Sequence, residues 1–171
     1  KVKTEITVEN YVHMPVQAQL VTSYFELDID DVPGGLVTQQ TDIIDIHANS
    51  TAKTVMTTDL LNPKRWDIQS PNRYLAQTKV FVDGVLMDTY NTSFGVRTIE
   101  FTAHNGFLLN GNKVEIKGVC NHHDLGSLGA AFNKSALKRQ LDILQDMGCN
   151  SIRTSHNPPA PELLELADKM G

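Results

Sequence analysis

The sequence predicts a mainly β protein: an immunoglobulin-like antiparallel sandwich over residues 1–102, then two strand–helix units of a parallel sheet over residues 103–171. Three observations carry this. Residues up to Thr102 read as successive β-branched runs of strand length separated by turn formers, with no helical stripe among them. After Thr102 the pattern changes to short apolar runs, each followed by a polar cluster and then by leucines at helical spacing. Strand, helix, strand, helix with short connections is the grammar of a parallel sheet.

Val2, Ile6 and Val8 alternate with polar residues, as in a half-buried strand. Val16 to Leu27 is longer and carries apolar residues on both faces. Asp28 to Gly35, containing Val32-Pro33-Gly34-Gly35, reads as a turn, and Val37 to Ile46 and Ala52 to Asp59 are Thr-rich strands. Tyr74 to Val82 and Val85 to Tyr90 flank Asp83-Gly84, a dipeptide suited to a two-residue hairpin. Phe94 to Thr102 closes the set as the seventh sandwich strand. The single tryptophan, Trp66, sits in the loop Asn62-Pro63-Lys64-Arg65-Trp66. It reads as a plug in a core, with a sugar-stacking platform as the alternative.

In the second part, Asn105-Gly106 and Asn110-Gly111 bracket Phe107-Leu108-Leu109, so Phe107 to Leu109 is expected to pair with Lys113 to Lys117 across a tight turn. Glu115 to Asn121 reads as a strand leading to His122-His123-Asp124. Asn133 or Ser135 can cap the next helix, whose Leu137, Leu141, Leu144 and Met147 share a stripe until Gly148 stops it. Asn150 to Thr154 then reads as a strand, because Gly148 precedes it and Pro158-Pro159 forbids helix directly after it. Pro161 suits the first position of a second helix, with Glu162 at its positive end and Leu163, Leu166, Ala167 and Met170 on its buried side. Two such units do not close a sheet, and a full eight-unit barrel takes about 250 residues. The chain is expected to be cut from a longer one at both ends.

At 171 residues, with 40% hydrophobic and 20% charged content, the chain can bury a core and shows no sign of disorder. A net charge of -5 without a basic stripe argues against nucleic acid, and no apolar run approaches the roughly 20 residues of a membrane helix. An uncharged ligand is easier to reconcile with this surface. The two cysteines, Cys120 and Cys149, fall at opposite ends of successive parallel strands and are expected to be free, buried thiols. Asn-x-Ser/Thr triplets at Asn49, Asn91 and Asn133 are of a kind that chance supplies often.

The polar clusters are the candidate site. His122, His123 and Asp124 follow one predicted strand; Arg153, His156 and Asn157 lie at or past the end of the next. Parallel α/β folds place their chemistry at the carboxyl ends of their strands. A metal at His122-His123 is disfavoured, since neighbours on an extended strand point to opposite sides. The alternative is that these are polar groups satisfying loop backbone.

The runs Phe94-Gly95-Val96-Arg97-Thr98-Ile99-Glu100-Phe101, Gly106-Phe107-Leu108-Leu109-Asn110-Gly111, Lys117-Gly118-Val119, His122-His123-Asp124-Leu125-Gly126 and Asn150 to Pro158 resemble glycoside hydrolase family 2, and within it the β-galactosidases. Where many members carry His-Tyr-Pro, this sequence has His156-Asn157-Pro158. The resemblance implies a sandwich followed by the first two units of a (β/α)8, or TIM, barrel, and retaining hydrolysis of a β-linked sugar by two carboxylates about 5 to 5.5 Å apart. Both carboxylates belong to later barrel strands of that family, so no catalytic residue is expected within these residues and the isolated chain is expected to be inactive. The resemblance gives His122 and His156 the role of holding substrate hydroxyls and Arg153 that of orienting the nucleophilic carboxylate, with His123, Asp124 and Asn157 as pocket-wall groups. No cofactor and no metal is expected. β-Glucuronide or β-mannoside is the alternative substrate. A non-catalytic carbohydrate-binding or spacer sandwich is the alternative function. Exposed barrel surfaces are expected to favour self-association of the fragment.

Overall fold

The computed structural model describes residues 1–171 as two compact units, one formed by residues 1–64 with 73–94 and the other by 65–72 with 95–171.

The first unit is an antiparallel sandwich of six strands: β1 (Val2–Asn10), β2 (Val16–Leu27), β3 (Pro33–Ile46), β4 (Ser50–Thr58), β5 (Arg73–Val82) and β6 (Val85–Phe94). One sheet runs β3-β2-β5-β6 and the other is the pair β1-β4. β2 lies inside its sheet, and its Ala18, Leu20, Thr22 and Tyr24, two residues apart and therefore on one face, are all nearly inaccessible to solvent. Ile46 of β3 and Met56 of β4 are buried with them. The polar members of this core are paired. Thr22 and Thr78 hydroxyls meet at 2.9 Å, and the Tyr24 hydroxyl meets that of Thr4 on β1 at 2.7 Å. Arg73, 5% exposed, is held by the Asp31 carboxylate and by the Asp28 carbonyl, so the buried charge is neutralised rather than left to pay desolvation alone. Phe94 packs edge-on to Tyr24 and stacks on Tyr74 at 5.7 Å between ring centres.

Asp83-Gly84 forms the expected two-residue hairpin, with Val82 opposite Val85 and both turn residues at positive φ. The turn before β3 is tighter than the composition suggests. The Asp28 carboxylate accepts from the Asp30 and Val32 amides, and β3 already begins at Pro33, where register shifts mark an irregular edge that tolerates proline.

The expected seventh sandwich strand does not exist as such. Phe94 ends β6, and β7 (Ile99–Thr102) pairs with β8 (Gly106–Leu109), which pairs with β9 (Asn112–Lys113). Between them the backbone of residues 95–98 is bonded elsewhere: Val96 accepts from the Trp66 amide at 2.9 Å, and Thr98 exchanges bonds with Asn110 at 2.9 and 3.1 Å. Trp66, expected as a core plug, is half-buried in this second unit and is not among its buried core residues. The Arg97 guanidinium covers its ring at 4.6 Å, and its indole N–H donates to the Asp168 carbonyl at 2.8 Å.

The remainder of the second unit is β10 (Gly118–Asn121), a 3-10 turn (Gly126–Leu128), α1 (Lys134–Asp146), β11 (Ser151–Thr154) and α2 (Pro161–Met170). β10 is shorter than the predicted Glu115–Asn121 strand, because Asn150 rather than a strand partner occupies the backbone before it. The Asn150 side chain accepts from the Lys117 amide at 2.8 Å and donates to the Glu115 carbonyl at 2.9 Å. β10 and β11 are parallel, with Gly118 opposite Ser151, Cys120 opposite Arg153 and Asn121 opposite Thr154. Asn133 caps α1 through the Ala136 amide, and Pro161 opens α2. Leu137 and Leu141 of α1 and Leu163 and Leu166 of α2 form one buried cluster, with Ile152 of β11 packed on it. Met147, expected on the buried stripe, is 70% exposed, since α1 ends one residue earlier and Gly148 turns the chain away.

Gly118 makes the close approach of β10 to β11 possible: a Cβ there would lie 2.6 Å from the Ser151 carbonyl oxygen. Gly118→Ala is therefore expected to cost about 1–3 kcal/mol through forced separation of the two strands, read as lost amide protection at 118–121 and 151–155 while the sandwich amides are unaffected. Leu20→Ala is expected to destabilise the sandwich by about 2–5 kcal/mol in denaturant unfolding followed through the Tyr24 and Tyr74 near-ultraviolet signal.

Candidate functional site

Side chains alternate along β10 and β11, and the packing decides which face is which. Ile152 faces the leucines of α1 and α2, so Arg153, the next residue, and its register partner Cys120 point to the opposite face. That face carries no helix. The two polar clusters leave the carboxyl ends of these parallel strands side by side: the Ser155 amide donates to the Asn121 carbonyl at 2.8 Å, extending the ladder by one residue. The His122 and His156 rings meet edge to face, 5.6 Å between centres. Both are exposed, as is Arg153.

The guanidinium of Arg153 is held from its own strand end. One of its terminal nitrogens donates to the Ser155 hydroxyl at 2.8 Å and lies 3.8 Å from the Cys120 sulfur. Ser155 is 4% exposed. The Ser155 hydroxyl and, after it, the Arg153 guanidinium hold the Cys120 thiol below its ordinary pKa by hydrogen bonding to the sulfur. Cys120 is exposed and Cys149 half-buried, both free. The expectation of two buried thiols fails for a physical reason, since Cys120 lies on the helix-free face.

The other sequence candidates sit apart from this group. The Asp124 carboxylate accepts from the Gly126 amide at 2.9 Å and its carbonyl accepts from Gln140 of α1 at 2.9 Å, which braces the loop. His123 and Asp124, with His122, line a cleft of about 200 Å³ floored by Phe132, Leu137 and Leu163. Asn157 is exposed beyond His156 and is not part of that cleft. Sequence reasoning assigned no role to Ser155 and none but burial to Cys120. Strand alternation from Arg153, at a register linking 120 with 153, is the signal that marks both.

Residues 1–97 match the family model for glycosyl hydrolases family 2, and residues 99–171 match the model for the TIM barrel domain of glycosyl hydrolases family 2. The chain belongs to glycosyl hydrolase family 2. A β-galactosidase of Bacteroides ovatus is 56% identical over 109 residues, 64% of this chain and 13% of that protein. A β-glucuronidase of Streptococcus agalactiae is 43% identical over 107 residues, 62% of this chain and 18% of that protein. Among solved structures, a family 2 member from Bacteroides cellulosilyticus superposes with a TM-score of 0.88 at 30% identity, and a Bacteroides uniformis β-glucuronidase with 0.89 at 27%. Each comparison covers 99% of this chain and 23% and 20%, respectively, of those proteins. This family 2 chain thus spans less than a quarter of these four relatives. It comprises a β-sandwich and the start of a TIM barrel, the latter including the β10-α1-β11-α2 run.

Alkylation of Cys120 by iodoacetamide should show a half-maximal rate at lower pH than an unstructured cysteine peptide, because a lowered pKa leaves more thiolate at neutral pH. Mass-resolved alkylation rates between pH 6 and 10 measure this; a midpoint at or above that of the peptide contradicts the geometry around the sulfur.

Proposed function

We propose that this chain supplies the sandwich and the opening barrel units of a retaining glycoside hydrolase that cleaves O-glycosyl bonds of β-galactosides or related β-glycosides. The observation that carries the reading is the parallel register of β10 and β11, which sets Arg153, His122 and His156 at one strand end. A planar, permanently charged guanidinium can fix the direction of a carboxylate and keep it ionised. Arg153 is accordingly assigned the nucleophilic carboxylate. Neutral imidazoles can donate to sugar hydroxyls as the ring flattens toward an oxocarbenium-like transition state, and His122 and His156 are assigned that role. His123 and Asp124, which line the cleft beside His122, are assigned its wall, and Asn157 lies outside that cleft. The two reacting carboxylates come from barrel strands outside residues 1–171, so the 171-residue chain has no turnover of its own.

The substrate reading rests on the Bacteroides ovatus β-galactosidase likeness. The similarity to a streptococcal β-glucuronidase supports β-glucuronides as the second reading. Apolar side chains left uncovered in the second unit, among them Phe101, Met147 and Leu164, support self-association of the isolated chain.

The longer protein bearing this chain should hydrolyse a nitrophenyl β-galactoside with retention, and the purified 171-residue chain should not. Turnover by the 171-residue chain, or no turnover of any nitrophenyl β-glycoside by the longer protein, contradicts the proposal. Arg153→Leu in the longer protein should lower kcat by about 100-fold or more; an unchanged kcat removes Arg153 from the site. Light scattering of the isolated chain across a dilution series should show mass falling toward that of a monomer; a monomer at all concentrations contradicts self-association.

A further inference from the structure

We propose that Ser155 and Cys120 are positioning residues that clamp one edge of the Arg153 guanidinium, while the exposed residue stays open to a partner on the helix-free face. The inference deepens the reading of Arg153 given above and rests on it. Three observations converge. Arg153 and Cys120 are register partners in the parallel ladder, so their side chains project from the same face. One terminal nitrogen is engaged by both acceptors, the Ser155 oxygen at 2.8 Å and the Cys120 sulfur at 3.8 Å. Ser155 is buried and its amide is fixed to the Asn121 carbonyl at 2.8 Å, so the hydroxyl is anchored by the same ladder that sets the register.

The physical consequence concerns entropy. An exposed arginine samples many rotamers, and ordering it costs conformational entropy. Two acceptors on one nitrogen hold the plane of the guanidinium before any carboxylate arrives, and a planar fork offers a carboxylate directional bonds only when its plane is already set. The lowered pKa of the thiol agrees with this arrangement, since the same two groups stabilise the thiolate. A thiolate beside the guanidinium would also offset part of its charge, so the clamp sets direction rather than adding positive field.

The test has two arms. In the 171-residue chain, iodoacetamide alkylation at pH 7.5 is followed separately at Cys120 and Cys149 for the parent sequence, Ser155→Ala and Arg153→Leu. Each variant is expected to slow Cys120 by about threefold or more while leaving Cys149, the control for folding, unchanged. An unchanged Cys120 rate in both variants overturns the clamp. In the longer protein, Ser155→Ala and Cys120→Val are expected to lower kcat about 10- to 100-fold with KM changed less than about twofold, and Ser155→Thr and Cys120→Ser, which keep an acceptor, to recover most of it. Slowed alkylation together with unchanged kcat overturns the positioning role. If the longer protein turns over no glycoside, the hydrolase reading fails while the alkylation arm still decides whether the clamp exists.

Discussion

The in-register parallel pairing of β10 with β11 is the constraint on which the rest of the second unit depends. It is set at both ends. Upstream, the Asn150 side chain and amide clasp the backbone of 115–117, and Gly118 allows the strands to approach. Downstream, the Ser155 amide closes the ladder on Asn121. A parallel ladder carries both strands in one direction, so whatever follows each strand emerges at one rim. A slip of one residue would turn Arg153 toward the α1 and α2 leucines and Ile152 toward the open face. Burial of Ile152 against those leucines and exposure of Arg153 are thus two results of one choice of register.

The sandwich solves a different problem with similar means. Its interior strand buries a one-sided row of Ala18, Leu20, Thr22 and Tyr24, and the two hydroxyl-bearing members are satisfied by partners placed opposite them. The buried Arg73 finds its carboxylate in the turn that ends β2. The polar groups in this core act as registers between strands as well as fillers, because each has one partner it can reach.

Much of this was legible in the sequence, wherever the signal was local. β-Branched runs of strand length between turn formers mark six sandwich strands, Asp83-Gly84 and Asn110-Gly111 mark their hairpins, and Asn133, Pro161 and the leucine stripes mark two helices. What failed depended on partners far along the chain. The run Phe94 to Thr102 looks like one strand, but Phe94 belongs to the Tyr24 and Tyr74 cluster while Ile99 pairs with Leu109. Cys120 looks buried in an apolar strand and is exposed, because only one face of its pair is covered by helices. At the candidate site, the nearness of His122 to His156 followed from two strand ends being parallel. The hold of Ser155 and Cys120 on Arg153 required knowing which residues stand opposite one another.

The shared rim is tested most directly by proton–proton Overhauser contacts between assigned side chains. The account predicts a cross-peak between the His122 and His156 rings, whose centres lie 5.6 Å apart, of strength comparable to that between Phe101 and Phe107 at 5.0 Å. A spectrum with the Phe101–Phe107 contact and no contact between the two histidines would contradict it.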